Sequence, residues 1–221
     1  MKGREFKDAV FEQFARVGAA FGSPKRVEIV DLLAQGERSV ESIAGVTGMS
    51  VANTSQHLQV LRVAGLLVSR KDGLHVRYRL ADPSVADGYR ALRALAETRI
   101  GEVRQLADAF FGDVDGAEPV GIDELLTRTQ SGEVLVVDVR PGLEFDAGHL
   151  PGAVNIPLDQ LSARLADLDP ETPVVAYCRG PYCVLAAQAV ARLRASGVDA
   201  RRLAGGPLEW EAAGLALASG T

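Results

Sequence analysis

The spacing of apolar residues changes class once along this chain of 221 residues, and that change limits the fold more than any other feature. From Glu5 to Phe21 apolar side chains recur at Phe6, Val10, Phe14, Val17 and Phe21, one stripe of an α-helix. Beyond Pro119 the pattern becomes short β-branched runs, Val134 to Val137 and Val174 to Tyr177, with Ala200 to Leu203 as a candidate third. Helical stretches at Leu158 to Leu168 and Val184 to Ser196 separate them, and such alternation predicts a parallel central sheet. Around Gly112 to Pro119 periodicity stops and small and acidic residues take over, as in a linker. The expected organisation is a mainly α domain over 1–111, a linker over 112–118 and an α/β domain over 119–221.

Punctuation within the first half is specific. Ser23-Pro24 reads as the cap and first residue of a second helix ending near Gly36. Ser39 to Val46 forms a short helix closed by Gly48, and Ser50 caps another running to about Ala64, with Gly65 as its stop. Leu66 to Arg70 and Val76 to Leu80 then flank Lys71-Asp72-Gly73 as a hairpin, giving helix, turn, helix, wing. From about Pro83 to Phe111 a long helix carries Val85, Tyr89, Leu92, Ala96, Val103, Leu106 and Phe110 on one broad stripe. So small a domain cannot cover it. Packing of this helix and the first against their copies in a two-fold homodimer accounts for the stripe; the alternative is a helix lying on the second half of its own chain.

The formal charge of −5 conceals an asymmetry: residues 1–100 hold 15 basic and 11 acidic side chains, the remainder 9 and 18. Between residues 51 and 80, Arg62, Arg70, Lys71, Arg77 and Arg79 face the single acid Asp72, which suggests a confined polyanion site. The N-terminal stretch alternates charged and apolar residues, so neither a signal peptide nor an anchor is expected, and nothing downstream approaches a membrane span. The two cysteines, five residues apart, do not resemble a secreted disulfide framework, and a reducing cytoplasm is the expected location.

The stretch Met49 to Leu67, with Ser55-Gln56-His57-Leu58 and Leu61-Arg62-Val63-Ala64-Gly65-Leu66, resembles the recognition helix of the ArsR/SmtB winged helix-turn-helix repressors, and the likeness extends over about residues 5–110. It implies binding to a double-stranded DNA operator. On this helix Val51, Leu58 and Leu61 are expected in the core, leaving Asn53, Ser55 and Gln56 to meet base edges and phosphates. Ser50 at the helix start can meet a phosphate, and Arg70, Lys71 and Arg77 are expected to grip flanking backbone from the wing. His57 is either a DNA contact or a buried imidazole bonded to backbone. Many members of this family sense metals or arsenic through cysteines before the recognition helix or through His/Asp pairs in the last helix. Here Glu37 to Ser42 contains no cysteine, and His57, His75 and His149 show no paired ligand spacing, so no metal site and no cofactor are expected.

Residues 119–217 resemble a rhodanese domain on three stretches: Val136 to Pro157, Tyr177 to Cys183, and Leu203 to Pro207 with Trp210. The resemblance makes Cys178 the nucleophile that accepts a sulfane sulfur as a persulfide. Lying after a strand and before a helix starting near Cys183, its thiol is expected to be acidic. The N–H groups from Arg179 through Gly180, Pro181 and Tyr182 to Cys183 are expected to cradle the sulfur, with Arg179 adding charge for an anionic donor. Related phosphatases and arsenate reductases carry an arginine six residues after the cysteine; Val184 stands there, which favours sulfur over phosphate or arsenate. Cys183 either resolves a Cys178 persulfide into a disulfide or polysulfide, or is a small residue packed at a helix start. Asp138 and Arg140 are expected to form an ion pair supporting the loop, Glu144 and His149 to be structural, and Trp210 to be core. The expected function is a DNA-binding regulator, a repressor, that senses reactive sulfur species through Cys178. The alternatives are a sulfurtransferase using thiosulfate or a persulfide, whose DNA-binding half serves autoregulation, and an inactive interaction module.

Overall fold

Serine caps, glycine stops and the buried faces of α2, α3 and α4 build the first half of the computed structural model, which describes residues 1–114, 116 and 118–220. Asp115 and Ala117 of the expected linker, and Thr221 of the expected second domain, lie outside the described residues. The chain divides into two compact units, residues 1–95 and Ala96 onward. The first contains α1 (Gly3–Phe21), α2 (Pro24–Leu33), β1 (Arg38–Ser39), α3 (Val40–Thr47), α4 (Val51–Val63), β2 (Leu67–Asp72), β3 (His75–Leu80) and most of α5 (Pro83–Arg99).

Ser39 Oγ accepts from the Ser42 N–H at 3.3 Å and Ser50 Oγ from the Asn53 N–H at 3.2 Å, each satisfying an otherwise unpaired donor in the first turn of α3 and α4. Gly48 closes α3 in the left-handed conformation at φ 67°, where a side chain would be strained. Arg26 donates to the Ala19 and Ala20 carbonyls, fixing the end of α1 against α2 with a cation at the helix's negative pole. Ile29, Val30, Leu32 and Leu33 of α2 are buried, as are Ile43 and Ala44 of α3, Leu58 and Leu61 of α4, and Leu66 and Leu67. The three strands pair antiparallel in the order β1-β3-β2.

Several expectations are corrected. Val51 does not join the core: it is 48% exposed, and Thr54 takes the buried position, its hydroxyl donating to the Ser50 carbonyl at 3.0 Å. A threonine can be buried there because that bond satisfies its polar group. Helix α2 ends at Leu33 rather than near Gly36, and the wing turn lies at Gly73-Leu74, with Asp72 paired across the strands to His75. The long helix is two helices, α5 and α6 (Gly101–Val114). Ile100 N–H still bonds to Ala96 O at 2.8 Å, but Val103 N–H turns to Ile100 O at 3.1 Å, and Gly101, a poor helix former, stands at the break. Helix α6 also runs through Gly112 to Val114, where the linker was expected.

Helix α6 belongs to the second unit, so for this segment the alternative reading applies: it lies with the α/β half of its own chain. Phe111 is buried and the Arg202 guanidinium stacks 4.2 Å from its ring centroid. Then follow α7 (Ile122–Gln130), β4 (Leu135–Asp138), α8 (Gly142–Ala147), β5 (Val154–Asn155), α9 (Leu161–Arg164) with a 3-10 turn over Leu165–Asp167, β6 (Val174–Tyr177), α10 (Val184–Ala195), β7 (Ala200–Arg202) and α11 (Pro207–Ala212). The expected helix over Leu158 to Leu168 is therefore only α9 and that turn. The sheet is parallel, ordered β5-β4-β6-β7, and Val120 adds a parallel bridge to Leu203.

All four residues of β6 are buried, because both sheet faces are covered. Val174 and Ala176 pack with Val137, Ala189, Val190 and Leu193 on one face; Val175 and Tyr177 pack with Val136, Leu125, Leu150 and Trp210 on the other. The central strand's C-terminal end, where Cys178 follows Tyr177, is thus fixed from both sides.

Leu61 is fully buried at the centre of the first unit. Leu61→Ala is expected to cost about 2–5 kcal/mol through reduced burial and the cavity left behind. Loss of helical circular dichroism in urea should come at lower denaturant, while the signal of Trp210, the chain's single tryptophan, which lies in the second unit, should be unmoved.

Candidate functional site

The β6 backbone delivers Cys178 to the C-terminal edge of the sheet, the usual place for a reactive group in parallel α/β folds. The loop from Arg179 returns to Cys183, which occupies the N-cap position of α10. The chain has two cysteines and they are joined here: Cys178 and Cys183 form a disulfide with a Cα separation of 6.1 Å. That separation lies within the range a disulfide spans without backbone movement. Cys178 is 1% exposed and Cys183 half-buried.

The cradle expected from consecutive N–H groups is incomplete. Pro181 has no N–H to offer, and the Cys183 N–H is committed to the Gly180 carbonyl at 3.1 Å. The charge expected from Arg179 is also balanced within the protein. Its guanidinium forks onto the buried Glu144 carboxylate of α8, with contacts of 2.8, 3.0 and 3.2 Å. Burial explains the correction: the Glu144 carboxylate has lost its water and holds the nearest cation. Glu144, read from the sequence as structural, is thus an anchor for the sulfur loop; nothing local in the sequence signals a pairing across 35 positions.

Beneath the loop lies a second ion pair. Asp138 at the end of β4 and Arg140 are both buried and meet at 2.6 Å, with the Arg140 N–H also donating to Asp138 Oδ1 at 2.9 Å. Arg140 donates further to the Gly148 carbonyl at 2.8 Å, and the Asn155 amide donates to the Asp138 and Arg140 carbonyls at 3.1 and 2.9 Å. Burial works against the Arg140 charge, yet the Asp138 carboxylate outweighs it and holds the guanidinium above its ordinary pKa. The guanidinium lies 5.6 Å from the Tyr177 ring, and the Tyr177 hydroxyl accepts from the Leu150 N–H at 3.1 Å. Burial first, and the Asp138 charge second, push the Tyr177 phenol up, so it stays neutral. His149 stacks on Phe145 at 3.6 Å and bonds to its carbonyl, and Trp210 is buried with its N–H donating to the Ala216 carbonyl at 3.0 Å.

Gly206 was visible only as part of the Leu203 to Pro207 stretch, but it is a contact residue of the loop. A Cβ there would stand 2.5 Å from the Cys178 carbonyl oxygen and 2.6 Å from the carbonyl of Arg179. The signal available in the sequence is the Gly205-Gly206-Pro207 run, since paired glycines outside a turn often mark close backbone approach.

In the first unit Asn53, Ser55 and Gln56 are exposed along α4, and His57 is half-buried. Ser50 Oγ is engaged as the helix cap, and the Ser55 hydroxyl donates back to the Val51 carbonyl at 2.8 Å. On the wing, Lys71 is exposed, whereas Arg70 meets Glu37 at 2.5 Å and Arg77 meets Asp72 at 2.5 Å. Arg70 and Arg77 therefore carry carboxylate partners rather than standing as bare cations. Among the described residues no group of three or more His, Cys, Asp or Glu is placed to hold a metal ion.

Two substitutions test this geometry in the second unit. Asp138→Asn leaves the buried Arg140 without its counter-charge and is expected to cost about 3–5 kcal/mol, measured by Trp210 fluorescence in urea. Gly206→Ala forces the Cys178–Arg179 backbone to move. It is expected to cost about 1–3 kcal/mol and to slow disulfide formation with diamide on the order of tenfold; wild-type values for both would remove Gly206 from the site.

Residues 122–213 match the rhodanese-like domain family, and residues 23–69 match the arsR family of bacterial regulatory proteins. The chain is 44% identical to the HTH-type transcriptional regulator Rv0324 of Mycobacterium tuberculosis over 214 residues, covering 97% of this chain and 94% of that protein. It is 34% identical over 82 residues to a probable mercury resistance operon repressor of Streptomyces lividans, covering 37% of this chain and 66% of that one. Among solved structures it is similar to the homodimeric winged helix-turn-helix DNA-binding domain, fragment 1–100, of Mb0332 from Mycobacterium bovis. That match has 40% identity and a TM-score of 0.42, and covers 45% of this chain and 91% of that one. Matched across both halves to a full-length regulator, the chain belongs to the arsR-family HTH-type transcriptional regulators that carry a C-terminal rhodanese-like domain.

Proposed function

We propose that this regulator is a cytoplasmic homodimeric repressor that senses reactive sulfur species through Cys178 and Cys183. The observation that carries the reading is that the chain's two cysteines meet in one loop, at the end of β6 and the start of α10. The chemistry balances without a further reagent. In the reduced loop, Cys178 thiolate attacks the terminal sulfane sulfur of a persulfide or polysulfide donor; the remainder of the donor leaves as a thiolate or a polysulfide one sulfur shorter, and Cys178 becomes a persulfide. Cys183 thiolate then attacks the Cys178 Sγ; the terminal sulfur departs as hydrosulfide and the disulfide forms. The two thiols are oxidised and the donor's sulfane sulfur is reduced to sulfide.

Cys183 weighs against sulfurtransferase turnover as the main role, because it diverts the persulfide before an acceptor takes the sulfur. Dimer formation is supported by the apolar side chains that α1 and α4 leave exposed, Phe6, Phe11, Phe14 and Val17 with Val60 and Val63. Val60 and Val63 also line a cavity of about 310 Å³, together with Ala19, Ala20, Ala64, Arg16 and Gln59. DNA contact is assigned to Asn53, Ser55, Gln56 and His57 of α4, with Ser50 at its start and Arg70, Lys71 and Arg77 on the wing.

Operator binding by the full-length protein, before and after polysulfide treatment, is the test. Wild type is expected to change affinity by about 5- to 150-fold, the usual span of coupling between two sites, and Cys178→Ser to show no change. Unchanged binding by a protein whose disulfide has formed sinks the sensing role. Independently, Lys71→Ala is expected to weaken binding evenly across sequences and to lower the salt slope by about 1 per phosphate that is no longer neutralised.

A further inference from the structure

Toward a nucleophile from solvent, the two sulfurs of the oxidised loop are not equivalent. Cys178 is 1% exposed and belongs to the core cluster that includes Val139, Ala176 and Ala186. The Gly206 backbone closes on its carbonyl, so that a Cβ at this position would stand 2.5 Å from the Cys178 oxygen. Cys183 is half-buried, between two residues that reach solvent: Tyr182 is 42% and Val184 40% exposed. Exchange at a disulfide is an in-line displacement, so the nucleophile arrives opposite the sulfur that leaves, and access decides which sulfur is attacked. In the oxidised loop Cys178 is sealed within that cluster, whereas Cys183 packs on the cluster's edge and keeps part of its surface open to solvent.

The helix dipole does not separate the two sulfurs, because Cys183 is itself the N-cap of the 12-residue α10 and Cys178, bonded to it, lies at the same helix end, so access decides which is attacked.

We propose that hydrosulfide and small alkyl thiolates open the disulfide at Cys183, so that the adduct resides on Cys183 and Cys178 is released as the thiolate. With hydrosulfide, the bond between the two Sγ atoms breaks while one forms between Cys183 Sγ and the incoming sulfur. The broken bond's electron pair leaves on Cys178, and Cys183 carries the persulfide. With an alkyl thiolate the product is a mixed disulfide on Cys183, and a second thiolate displaces Cys183 to complete the reduction. In this assignment Cys183 is the site through which the oxidised loop is reset. The inference rests on reading the pair as a redox-active sulfur site, but its readout does not involve DNA.

The positions of the two cysteines make the test direct. Full-length protein is oxidised with diamide, freed of reagent, exposed to one equivalent of sodium sulfide or 2-mercaptoethanol, quenched in acid within seconds and alkylated with N-ethylmaleimide. Trypsin cleaves after Arg179, placing Cys178 and Cys183 on separate peptides. The expected result is the persulfide or mixed disulfide on the Cys183 peptide in at least about tenfold excess, with maleimide on Cys178. Equal labelling, an excess of adduct on Cys178, or failure of diamide to form the disulfide overturns the proposal. An adduct on Cys183 together with unaltered operator binding supports this assignment while removing the sensing role, so the two readings fail separately.

Discussion

Asp138 and Arg140 place opposite charges where water does not reach, at the end of the strand beside β6. Desolvating both ions costs about as much as their attraction returns, so the pair contributes little net stability. What it imposes is position. Arg140 must satisfy Asp138, the Gly148 carbonyl and the Tyr177 ring at once, and Asn155 bonds to both carbonyls of the turn. Those constraints converge on Tyr177, the residue before Cys178, whose hydroxyl is held in turn by the Leu150 N–H. A cysteine on this frame cannot drift without uncovering a buried charge. The loop beyond it is fixed at Arg179 by Glu144 and at its backbone by Gly206.

That second anchor bears on the chemistry. Recognition of a doubly charged inorganic donor such as thiosulfate needs positive charge directed at the incoming oxyanion. Here the loop's own guanidinium is directed at Glu144, and the Cys183 N–H closes on Gly180. What remains near the sulfurs is the helix N-terminus, a partial charge suited to a thiolate or a terminal sulfur. The last position of the loop holds a second thiol, Cys183, and for the proposed exchange between sulfurs a neighbouring thiol is a fast partner because it is already in place.

How far the sequence discloses this depends on whether a residue's surroundings are local. The buried strands, the hairpin and the serine caps of α3 and α4 follow from period, turn residues and hydroxyls within four positions of the groups they serve. The Asp138–Arg140 pair was legible because its members stand two apart at a strand end. The Glu144–Arg179 pair and the contact of Gly206 with the loop were not, since each joins segments brought together only by the parallel crossovers. Val51 and Thr54 exchange roles for a different reason: both fit an apolar face by spacing, and only the back-bond to Ser50 decides which is buried. The break at Ile100 sits on an apolar stripe that continues on both sides, so periodicity conceals what Gly101 permits.

The DNA-binding half obeys the same rule of compensated charge, with the opposite outcome. Arg70 and Arg77 are held by Glu37 and Asp72 at the surface, where an ion pair in water contributes little and is screened by salt. On the proposed reading, duplex phosphates would offer these guanidiniums a denser field and release bound counterions, so exchanging a carboxylate for a phosphate would cost little and gain entropy. In the free protein Glu37 and Asp72 offset the charge of Arg70 and Arg77. At Glu144 the carboxylate is buried and the half-buried Arg179 guanidinium is its anchor; on the wing both partners of each pair reach solvent, and solvent access distinguishes the two.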